Sequence, residues 1–339
     1  MIDVDVIVVG GGPVGLAAAI NARLAGLSVA VVEPRDGAID KACGEGLMPG
    51  ALPVLARLGV DPVGMPLRGV SYRDGTRVAD HRFVAGEGRG VRRLVLQQAL
   101  AHRAEELGIE RVAGRVDSVD QTDRMVSAAG LTANWLLACD GLHSRIRNSV
   151  GLERMVPSTA KRFGMRQHFA VAPWSDLIEV HWTPSAELYV TPVSPDVIGI
   201  AALGPKGTDL TAEIRSVPYL AERVLGAAPV SELRGAGPFR QRATRRQAGR
   251  VLLVGDASGY VDAITGEGLR LGFEQARVAV DSLMGDESYG RAWNRTTRDF
   301  RLLTSGLVRA ASSPLRPLIV PAAHRLPRLY GAVVERLAR

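Results

Sequence analysis

The N-terminal part of the chain begins with an apolar run at residues 4–9, which is followed by a glycine-rich turn and an alanine-rich stretch. A second apolar run then ends at Glu33. Short, continuously apolar runs are typical of strands that are buried on both faces, and the stretch between them is long enough for a helix. The order strand, helix, strand predicts a βαβ unit with two parallel strands.

The middle and the end of the chain carry the patterns of further elements. Leu96, Leu100 and Ala104 are spaced four apart after Arg93, so they share one face of a predicted amphipathic helix. Residues 73–76 (RDGT) predict a hairpin turn. Strand-like runs lie at residues 162–171, 177–183, 186–193 and 196–203. Beyond about residue 286 we expect helices, broken by Pro314, Pro317, Pro321 and Pro327.

The turn after the first apolar run reads Gly10-x-Gly12-x-x-Gly15, with Pro13 and Val14 before the third glycine. Glycines at this spacing allow a tight turn from strand to helix and a close approach of a pyrophosphate to backbone N–H groups. The N-terminus of the following helix provides a positive dipole end for the same phosphates. The turn therefore has the form of a phosphate-binding loop.

An acidic residue stands where the second apolar run ends. Glu33 is at the position of a carboxylate that accepts hydrogen bonds from a ribose, and Pro34 and Arg35 follow it. Strand, glycine turn, helix and acid thus occur in the order of a dinucleotide-binding unit, and they predict a bound dinucleotide. An ordinary glycine-rich turn is the alternative.

Two later segments repeat the order of strand, Gly/Asp turn and helix. Residues 139–147 (CDGLHSRIR) follow the apolar run WLLA, and residues 255–259 (GDASG) follow the run VLLV. Residues 265–268 (TGEG) then open another predicted helix. We expect both segments to contact the same ligand as the first glycine turn.

The three segments resemble the FAD-dependent oxidoreductases that include the geranylgeranyl reductases and the aromatic hydroxylases typified by p-hydroxybenzoate hydroxylase. The resemblance extends over residues 4–280 and implies that the dinucleotide is FAD. It also implies that the first glycine motif holds the ADP pyrophosphate and that Glu33 binds the adenosine ribose. One departure is Ala263, where the family often has proline.

The resemblance implies further cofactor roles in the later segments. Asp140, Gly141 and Arg147 match the family motif DGxxSxxR, which lies near the pyrophosphate and the approach of the pyridine nucleotide. Gly255 and Asp256 match the GD motif at the ribityl side of the flavin. The other implied contacts are the backbone N–H groups of Gly266, Glu267 and Gly268 at the isoalloxazine, and Arg93 at the ribityl chain. A solvated charge is the alternative for Arg93.

Residues 41–49 (KACGEGLMP) lie soon after the ribose-binding acid, where relatives of this fold run the chain past the flavin ring. Together with residues 265–268, this loop resembles the geranylgeranyl reductase branch more than the simple phenol hydroxylases. The resemblance implies that Cys43, Gly44 and Glu45 lie at the flavin, with the Cys43 thiol close to the reacting face. The alternative is that Cys43 is a small buried apolar residue.

The cofactor segments lie far apart in the chain, so the predicted fold, of the α/β class, is discontinuous. A Rossmann-like FAD-binding domain of the GxGxxG type is expected at residues 1–66, 88–155 and 245–285. An inserted antiparallel β-sheet substrate domain is expected at residues 67–87 and 156–244. A C-terminal helical segment is expected at residues 286–339.

The composition of the 339-residue chain limits other classes of function. Two isolated cysteines give no disulfide framework and no cluster of metal ligands, so we expect no metal site. The N-terminal apolar run has no basic segment before it, and no run approaches the roughly 18 apolar residues of a membrane span. These features predict a cytoplasmic protein without a signal peptide or a membrane span.

The charge of the chain is unevenly distributed. There are 42 Lys and Arg against 35 Asp and Glu, a net charge of +7, and much of it is arginine at residues 240–250 and 291–339. We interpret the basic C-terminal segment as a solvated helical face, and contact with an anionic membrane surface or an acidic carrier protein is the alternative. Nucleic-acid binding is not expected, because no nucleic-acid module is present and aromatic residues are too few for a stacking platform.

The predicted substrate sheet carries the other candidates for chemistry. His168 and His181 are, with Cys43, the candidate catalytic residues. A histidine on a strand is more often a hydrogen-bonded structural residue, and only geometry identifies a general base. Strand side chains alternate between two faces, so only some candidates face the flavin. Aromatic candidates for the substrate wall are Trp174, Trp182 and Tyr189.

Three classes of function fit these features. The first is a flavoprotein monooxygenase that takes electrons from NADPH or NADH and hydroxylates or epoxidises a small apolar or aromatic metabolite. The absence of a second Rossmann glycine motif favours it, since such hydroxylases have no separate nicotinamide domain. The second is a flavin-dependent reductase of isoprenoid C=C bonds, which the Cys43 loop favours. The third is a non-catalytic flavin-binding protein. We expect the first, because the compact substrate domain argues against a long polyprenyl tunnel.

Overall fold

The computed structural model describes residues 2–157, 161–285 and 287–338. Its strands, in chain order, are β1 (Val4–Val9), β2 (Val29–Glu33), β3 (Gly46–Leu47), β4 (Met65–Leu67), β5 (Gly69–Arg73), β6 (Val78–Arg82), β7 (Gly88–Gly90), β8 (Glu110–Ala113), β9 (Asp120–Gln121), β10 (Val126–Ala128), β11 (Leu131–Ala138), β12 (Glu153–Arg154), β13 (Phe163–Phe169), β14 (Leu177–Trp182), β15 (Glu187–Ser194), β16 (Val197–Gly204), β17 (Arg234–Ala236), β18 (Arg242–Ala243), β19 (Gln247–Ala248) and β20 (Val251–Leu253). Its helices are α1 (Pro13–Leu24), α2 (Ala51–Arg57), α3 (Arg93–Glu106), α4 (Arg145–Ser149), α5 (Leu210–Ser216), α6 (Pro218–Val224), α7 (Gly268–Leu283), α8 (Tyr289–Ala311), α9 (Ile319–Arg325) and α10 (Pro327–Ala338), with 3-10 turns at Gly255–Ser258 and Arg316–Leu318.

The first sheet has the strand order β19, β20, β11, β1, β2, β8, and β10 and β9 continue it beside β11. Strands β20, β11, β1, β2 and β8 run parallel. Helix α1, with α3 and α7 packed against it, covers the face that carries Val6 and Val8. The predicted βαβ unit is present, because α1 connects β1 to the parallel strand β2.

The second sheet has the order β17, β13, β16, β15, β14, β5, β6. Strands β13 to β16 follow the four predicted runs closely, and β5 and β6 form the predicted hairpin with Ser71 opposite Asp80. The sheet was predicted to be antiparallel, and its neighbouring strands do run antiparallel except for one pair, β14 and β5, which is parallel. The chain between these two strands passes through the first sheet, and such a long crossover permits a parallel pair.

Helices α8, α9 and α10 occupy the predicted C-terminal helical segment. Helix α8 ends at Ala311 before Pro314, and Pro317 lies in the second 3-10 turn. Pro327 begins α10, where a missing N–H is tolerated, whereas Pro321 lies in the first turn of α9 and does not break it. No helix within the described residues has both the length and the apolar character that crossing a bilayer requires.

Buried apolar side chains join the second sheet to these helices. Val70 and Trp182 on the sheet belong to one cluster with Val320 on α9 and Tyr330 on α10. The ring of Tyr72 lies 5.0 Å, centroid to centroid, from that of Tyr330. The C-terminal helices are thus part of the structure that supports the second sheet.

The two sheets draw on the chain segments that were predicted for the two domains. The first sheet takes its strands from residues 4–138 and 247–253, and the second from residues 69–82 and 163–236. Two small sheets, one of β3, β7 and β4 and one of β12 and β18, complete the sheets within the described residues. The domain boundaries themselves stay a prediction.

Candidate functional site

The glycine turn lies where β1 ends and α1 begins, and its glycines have different surroundings. A Cβ atom on Gly15 would lie 1.8 Å from the carbonyl oxygen of Gly10, so α1 packs on the turn only with glycine there. A Cβ atom on Gly12 would meet no atom of the described residues within 4 Å. The turn is therefore tight on the protein side and open at Gly12, where a ligand can reach the backbone.

Glu33 ends β2 beside this turn. Its Oε2 accepts a hydrogen bond from the Gly11 N–H at 2.8 Å, and its Oε1 accepts one from Arg35 Nε at 2.7 Å. Burial by itself raises the pKa of the Glu33 carboxyl, but the hydrogen bonds from Arg35 and Gly11 outweigh burial, so the pKa is lower than its ordinary value. Glu33 is a fixed, charged acceptor at the end of the strand.

Two cavities join into one groove at the carboxyl ends of the parallel strands. The larger has about 1310 Å³ of space, including its open mouth, and lies between the two sheets. The smaller lies at the ends of β1 and β2. Gly12, Lys41 and Cys139 line both cavities, so the groove is continuous. Doubly wound sheets bind dinucleotides at this edge.

Most of the predicted cofactor residues line this groove. In the smaller cavity they are Gly10, Gly12, Glu33, Pro34, Arg35 and Asp140. In the larger cavity they are Gly12, Pro13, Val14, Cys43, Gly44, Arg93, Gly141, Asp256, Gly266 and Gly268. The fold thus brings together segments that lie far apart in the sequence.

Gly15, Gly255 and Arg147 were predicted to bind the cofactor but are not among the lining residues. Gly255 packs against helix α1, where a Cβ atom would lie 2.9 Å from the Val14 side chain. The buried guanidinium of Arg147 donates hydrogen bonds to the carbonyl oxygen of Ala257 at 3.1 Å, and to other acceptors around it. These residues support the walls of the groove. Arg147 connects residues 140–147 to the turn at residues 255–258 through its hydrogen bond to Ala257.

Glu267 is also absent from the lining, although the backbone beside it is present. Its buried carboxylate pairs with Arg270, and burial raises the pKa of Glu267 to about 7 against the charge of Arg270. Gly266 and Gly268, on either side, line the larger cavity at the N-terminal end of α7. A helix N-terminus carries the positive dipole end, which stabilises negative charge on a ligand.

Glu45 anchors the loop at residues 41–46 through contacts on the side of the loop that faces away from the groove. Its φ of 58° lies in the left-handed region that favours glycine. Its Oε1 accepts a hydrogen bond from the Arg93 backbone N–H at 2.8 Å, and its Oε2 lies 2.6 Å from His168 Nε2. The other ring nitrogen, Nδ1, lies 2.9 Å from Ser231 Oγ. Glu45 and His168 are buried outside the groove lining, so both act on the loop rather than on a ligand.

His181 lies away from the groove. Its Nε2 is 3.0 Å from Glu179 Oε2, and its ring stacks on Tyr219 with 5.7 Å between centroids. Neither His168 nor His181 has the geometry of a general base for a ligand in the groove. Of the aromatic candidates on the sheet, Tyr189 lines the larger cavity. Within the described part of the chain, no group of three His, Cys, Asp or Glu side chains is arranged to hold a metal.

The polar atoms of the lining fit FAD. Arg93 Nε and Asp140 Oδ1 are buried and have no hydrogen-bond partner among the described residues, whereas buried polar atoms are normally hydrogen-bonded. Burial raises the pKa of Asp140, and it raises the pKa of Asp256 against the opposing charge of Lys41. The pyrophosphate, ribityl hydroxyls and ring edge of FAD offer partners for these donors and acceptors.

The wall that the second sheet contributes to the larger cavity is uncharged. The charged residues of the whole cavity lining are Lys41, Arg93 and Asp256, and none of them lies on the second sheet. The residues of the uncharged wall are Gly164, Met165, Tyr189, Ala201, Leu203 and Ala236, with Phe239 next to them. An apolar, uncharged ligand fits such a wall.

Cys43 and Tyr260 add neutral polar groups to the same cavity. Cys43 Sγ accepts a hydrogen bond from the Glu45 N–H at 3.4 Å, and burial raises the pKa of the Cys43 thiol, so it stays protonated at neutral pH. Burial also raises the pKa of Tyr260 well above its ordinary value. Both groups therefore act as neutral donors.

Gln97, Lys41 and Tyr260 are among the residues of the site that the sequence did not predict. Gln97 Nε2 donates a hydrogen bond to the Gly11 carbonyl oxygen at 2.6 Å, and its Oε1 is buried without a partner among the described residues. A polar residue beside Leu96 on the buried face of α3 was the available signal. Lys41 lines both cavities, and burial lowers its pKa. The loop of residues 41–49 was predicted to pass the flavin, but Lys41 itself was not named as a contact, because spacing alone does not show which side chains of a loop face a cavity.

A family model described as FAD binding domain matches residues 3–284. The chain belongs to this family. The predicted membership of an FAD-dependent oxidoreductase family and the predicted α/β FAD-binding fold are confirmed. The family membership supports FAD as the cofactor. That Arg93, Asp140 and the open backbone at Gly12 bind it stays a prediction.

Relatives of this family member include both reductases and monooxygenases. Menaquinone reductase from Mycolicibacterium smegmatis is 28% identical, over 98% of this chain and 88% of that protein. Para-nitrophenol 4-monooxygenase from a Pseudomonas species is 28% identical, over 82% of this chain and 77% of that protein. Digeranylgeranylglycerophospholipid reductase 2 from Methanopyrus kandleri is 26% identical, over 81% of this chain and 75% of that protein.

A solved structure of flavin-dependent brominase Bmp2 is similar in fold. Its TM-score is 0.82, at 17% sequence identity over 99% of this chain and 93% of that one. At this identity the similarity shows the fold alone. The reaction is therefore inferred from the site.

Proposed function

We propose that this FAD-binding protein is a monooxygenase that takes electrons from NADPH or NADH and hydroxylates or epoxidises a small, uncharged apolar or aromatic metabolite. The observation that carries the proposal is the uncharged wall of the larger cavity. A charged substrate would lose its hydration at this wall without gaining a partner. Bound FAD would supply the redox chemistry.

The size of the cavity favours a small substrate. Its space of about 1310 Å³ includes the open mouth and the part that FAD would occupy. Gly164, Ala201 and Ala236 leave room at the second-sheet wall because their side chains are absent or small. The remaining space suits a molecule of one or two rings better than a long polyprenyl chain.

Two tyrosines have separate tasks in this proposal. The Tyr260 hydroxyl is a neutral donor in the cavity lining, suited to orient a carbonyl or hydroxyl oxygen of the substrate. The Tyr189 hydroxyl donates to the carbonyl oxygen of Ile264 at 2.8 Å and so fixes the loop that precedes α7. The similarity to para-nitrophenol 4-monooxygenase, whose name states an aromatic substrate, supports the proposal.

A reductase of isoprenoid C=C bonds is the second candidate, and Cys43 favours it. Reduction of a double bond requires a hydride and a proton; bound reduced FAD would supply the hydride, and the protonated Cys43 thiol is a proton source at the cavity wall. The relatives named menaquinone reductase and digeranylgeranylglycerophospholipid reductase support this candidate. A flavin-binding protein without catalysis is the third candidate, and it predicts bound FAD without turnover.

Turnover assays on the FAD-loaded protein test the proposal. With p-nitrophenol, naphthol and menadione as probes, we expect one of them to stimulate NADPH or NADH oxidation together with an equal uptake of oxygen. Ala236→Trp, which fills the cavity wall, should raise the KM of that probe about tenfold and leave the FAD content unchanged. Ala170→Trp, at an exposed position just after β13, is the matched control.

The Cys43→Ala variant separates the two reactions. It should spare most oxygen-dependent turnover, because the thiol is not needed for hydroxylation, whereas alkene reduction should lose its proton source. Anaerobic addition of two hydrogen atoms to an isoprenoid double bond of a prenylated naphthoquinone would replace the first candidate by the second, if the wild type shows the mass gain after reoxidation of the ring and Cys43→Ala does not. Bound FAD without turnover in either assay would contradict both.

A further inference from the structure

Five large apolar side chains near the end of the chain are open to solvent. Leu302, Leu318, Leu326 and Leu329 are 63%, 58%, 53% and 60% exposed, and Val333 is 36% exposed. They lie on α8, at the two ends of α9 and on α10. Single exposed apolar residues are ordinary on protein surfaces, but these belong to consecutive, packed elements. We call these five residues the C-terminal leucine surface.

The residues of this surface on α8 and on α10 lie on helix faces that adjoin each other. Leu302 shares one face of α8 with Asp299, and Leu329 and Val333 share one face of α10 with Arg336, because residues three or four apart lie on the same side of a helix. Arg336 forms an ion pair with Asp299. Apolar side chains of the two helices pack together beside this ion pair.

Helix α9 extends the surface. Leu318 and Leu326 cap the two ends of α9. Leu326 is three residues from Leu329 across the corner at Pro327, where α9 and α10 pack against each other. The surface therefore runs across both helices and the corner between them.

Arginines without carboxylate partners surround the leucine surface. Within the described residues, no carboxylate oxygen lies within 4.0 Å of a guanidinium nitrogen of Arg325 or Arg328, which flank Leu326, and the same is true of Arg298 and Arg309 on α8. The carboxylates in residues 287–338 already have ion-pair partners, which are Arg295 for Glu287, Arg336 for Asp299 and His81 for Glu335. The positive charge beside the leucines is thus not paired with carboxylates in the part of the chain that the structure describes.

We propose that the C-terminal leucine surface docks the protein onto an anionic lipid bilayer. The leucines would enter the headgroup region, and Arg325 and Arg328 would contact lipid phosphates. Charge complementarity selects this occupant, because an apolar surface bordered by unpaired arginines matches an anionic bilayer. A second copy of the chain would place the same arginines opposite one another. The inference does not rest on the proposed reaction, although an apolar substrate would partition into the same bilayer.

Sedimentation of the FAD-loaded full chain with lipid vesicles tests the proposal. We expect binding to vesicles of mixed phosphatidylglycerol and phosphatidylcholine, and much weaker binding to phosphatidylcholine alone. Each arginine near an anionic surface contributes roughly fivefold to partitioning, so Arg325→Glu with Arg328→Glu should weaken binding by about twentyfold or more. Leu326→Ser with Leu329→Ser should also weaken binding, and high salt should not restore it.

Matched variants elsewhere on the surface serve as controls. Arg124→Glu with Arg154→Glu changes the net charge equally at exposed positions without ion pairs within the described chain. Val63→Ser with Val84→Ser removes side chains that are 83% and 79% exposed. Both control pairs should bind vesicles like the wild type, and unchanged FAD content and thermal unfolding confirm that every variant is folded.

Three results would overturn the proposal. The first is a wild type that fails to sediment with anionic vesicles at low salt. The second is equal weakening of binding by the Arg124 and Arg154 pair of substitutions and by the Arg325 and Arg328 pair, which would assign binding to net charge alone. The third is a dimer in light scattering that Leu326→Ser with Leu329→Ser converts to a monomer, which would assign the surface to a second copy of the chain.

Discussion

Single residues of the glycine turn have different effects on ligand binding and on folding. The side of Gly12 is open, so we expect Gly12→Ala to change the free energy of unfolding of the FAD-free protein by less than about 0.5 kcal/mol. The added methyl group would stand where the pyrophosphate approaches, so the Kd for FAD should rise at least about tenfold. Denaturant unfolding and fluorescence titration with FAD measure the two effects.

Gly15→Ala is the matched control at the other side of the turn. Its Cβ atom would lie 1.8 Å from the Gly10 carbonyl oxygen, so this variant should lose more than about 2 kcal/mol of unfolding free energy even without FAD. Wild-type affinity for FAD in Gly12→Ala would show that the open side of the turn does not face the ligand.

The two buried histidines of the second sheet form a matched pair. His168→Ala leaves Glu45 Oε2 without its 2.6 Å partner, and His181→Ala leaves Glu179 Oε2 without its 3.0 Å partner. Each change should lower the free energy of unfolding by about 2 kcal/mol, because it leaves one buried carboxylate oxygen without its hydrogen-bond partner while Arg73 still pairs with Glu179 and Arg166 still lies 3.7 Å from Glu45. Only His168→Ala should also raise the Kd for FAD, by about tenfold, since Glu45 holds the loop that lines the groove.

Denaturant unfolding and FAD titration of both histidine variants check this expectation. The titration is the informative measurement, because a merely structural histidine would change stability alone. Equal Kd values for FAD in the two variants would contradict the positioning role of His168.

At the scale of elements, the loop and helix start at residues 262–268 should make stability depend on pH. Burial raises the pKa of Asp262 from 3.8 to about 6 and that of Glu267 from 4.5 to about 7. The folded protein therefore binds protons that the unfolded chain has already released at these pH values. The free energy of unfolding should fall as pH rises from about 4 to about 7, and it should level off above that range.

Substitutions by amides isolate these two contributions. Asp262→Asn should flatten the lower part of the pH profile and Glu267→Gln the upper part, when unfolding is followed by denaturant titration of the FAD-free protein. Asp281→Asn, at a half-exposed position near the other end of helix α7, is the control and should leave the profile unchanged. A wild-type slope in both amide variants would contradict the assignment.

The sequence predicted elements well where a local pattern decides them. Helix α3 buries Leu96, Leu100 and Ala104 as their spacing requires, and strands β13 to β16 follow apolar runs between turn signals. The parallel pairing of β14 with β5 could not be predicted from a local pattern, because the two strands are about a hundred residues apart and their pairing depends on the tertiary fold. The left-handed backbone conformation of Glu45 could not be predicted from the sequence either, since tertiary contacts around the residue impose it.

The candidate site shows a similar limit. Motifs identified the segments that meet at the groove, but a motif does not specify whether each member faces the ligand. Arg147 and Glu267 are buried among protein partners, whereas their neighbours Gly141, Gly266 and Gly268 line the cavity. Side-chain direction in turns depends on tertiary packing, which one-dimensional spacing does not encode.

At the scale of the whole molecule, FAD is expected to stabilise both sheets, because its groove runs from the ends of the first sheet to the wall of the second. Removing FAD should lower the thermal midpoint of unfolding. With free FAD at a hundred times its Kd, the difference should be about 2.7 kcal/mol of unfolding free energy. Differential scanning calorimetry across an FAD titration measures it, and a midpoint that is independent of FAD would contradict the placement of the groove.

The most direct test of the proposed function follows the atoms added to the product. The FAD-loaded protein is supplied with NADPH, an aromatic probe that stimulates turnover, and isotopically labelled oxygen gas, and the mass of the product is measured by mass spectrometry. The uncharged second-sheet wall of the larger cavity supports binding of such a probe beside the flavin, and the proposed monooxygenase predicts a product with one labelled oxygen atom. A product that gains two hydrogen atoms and no label, formed equally well without oxygen, would contradict the monooxygenase and establish the reductase.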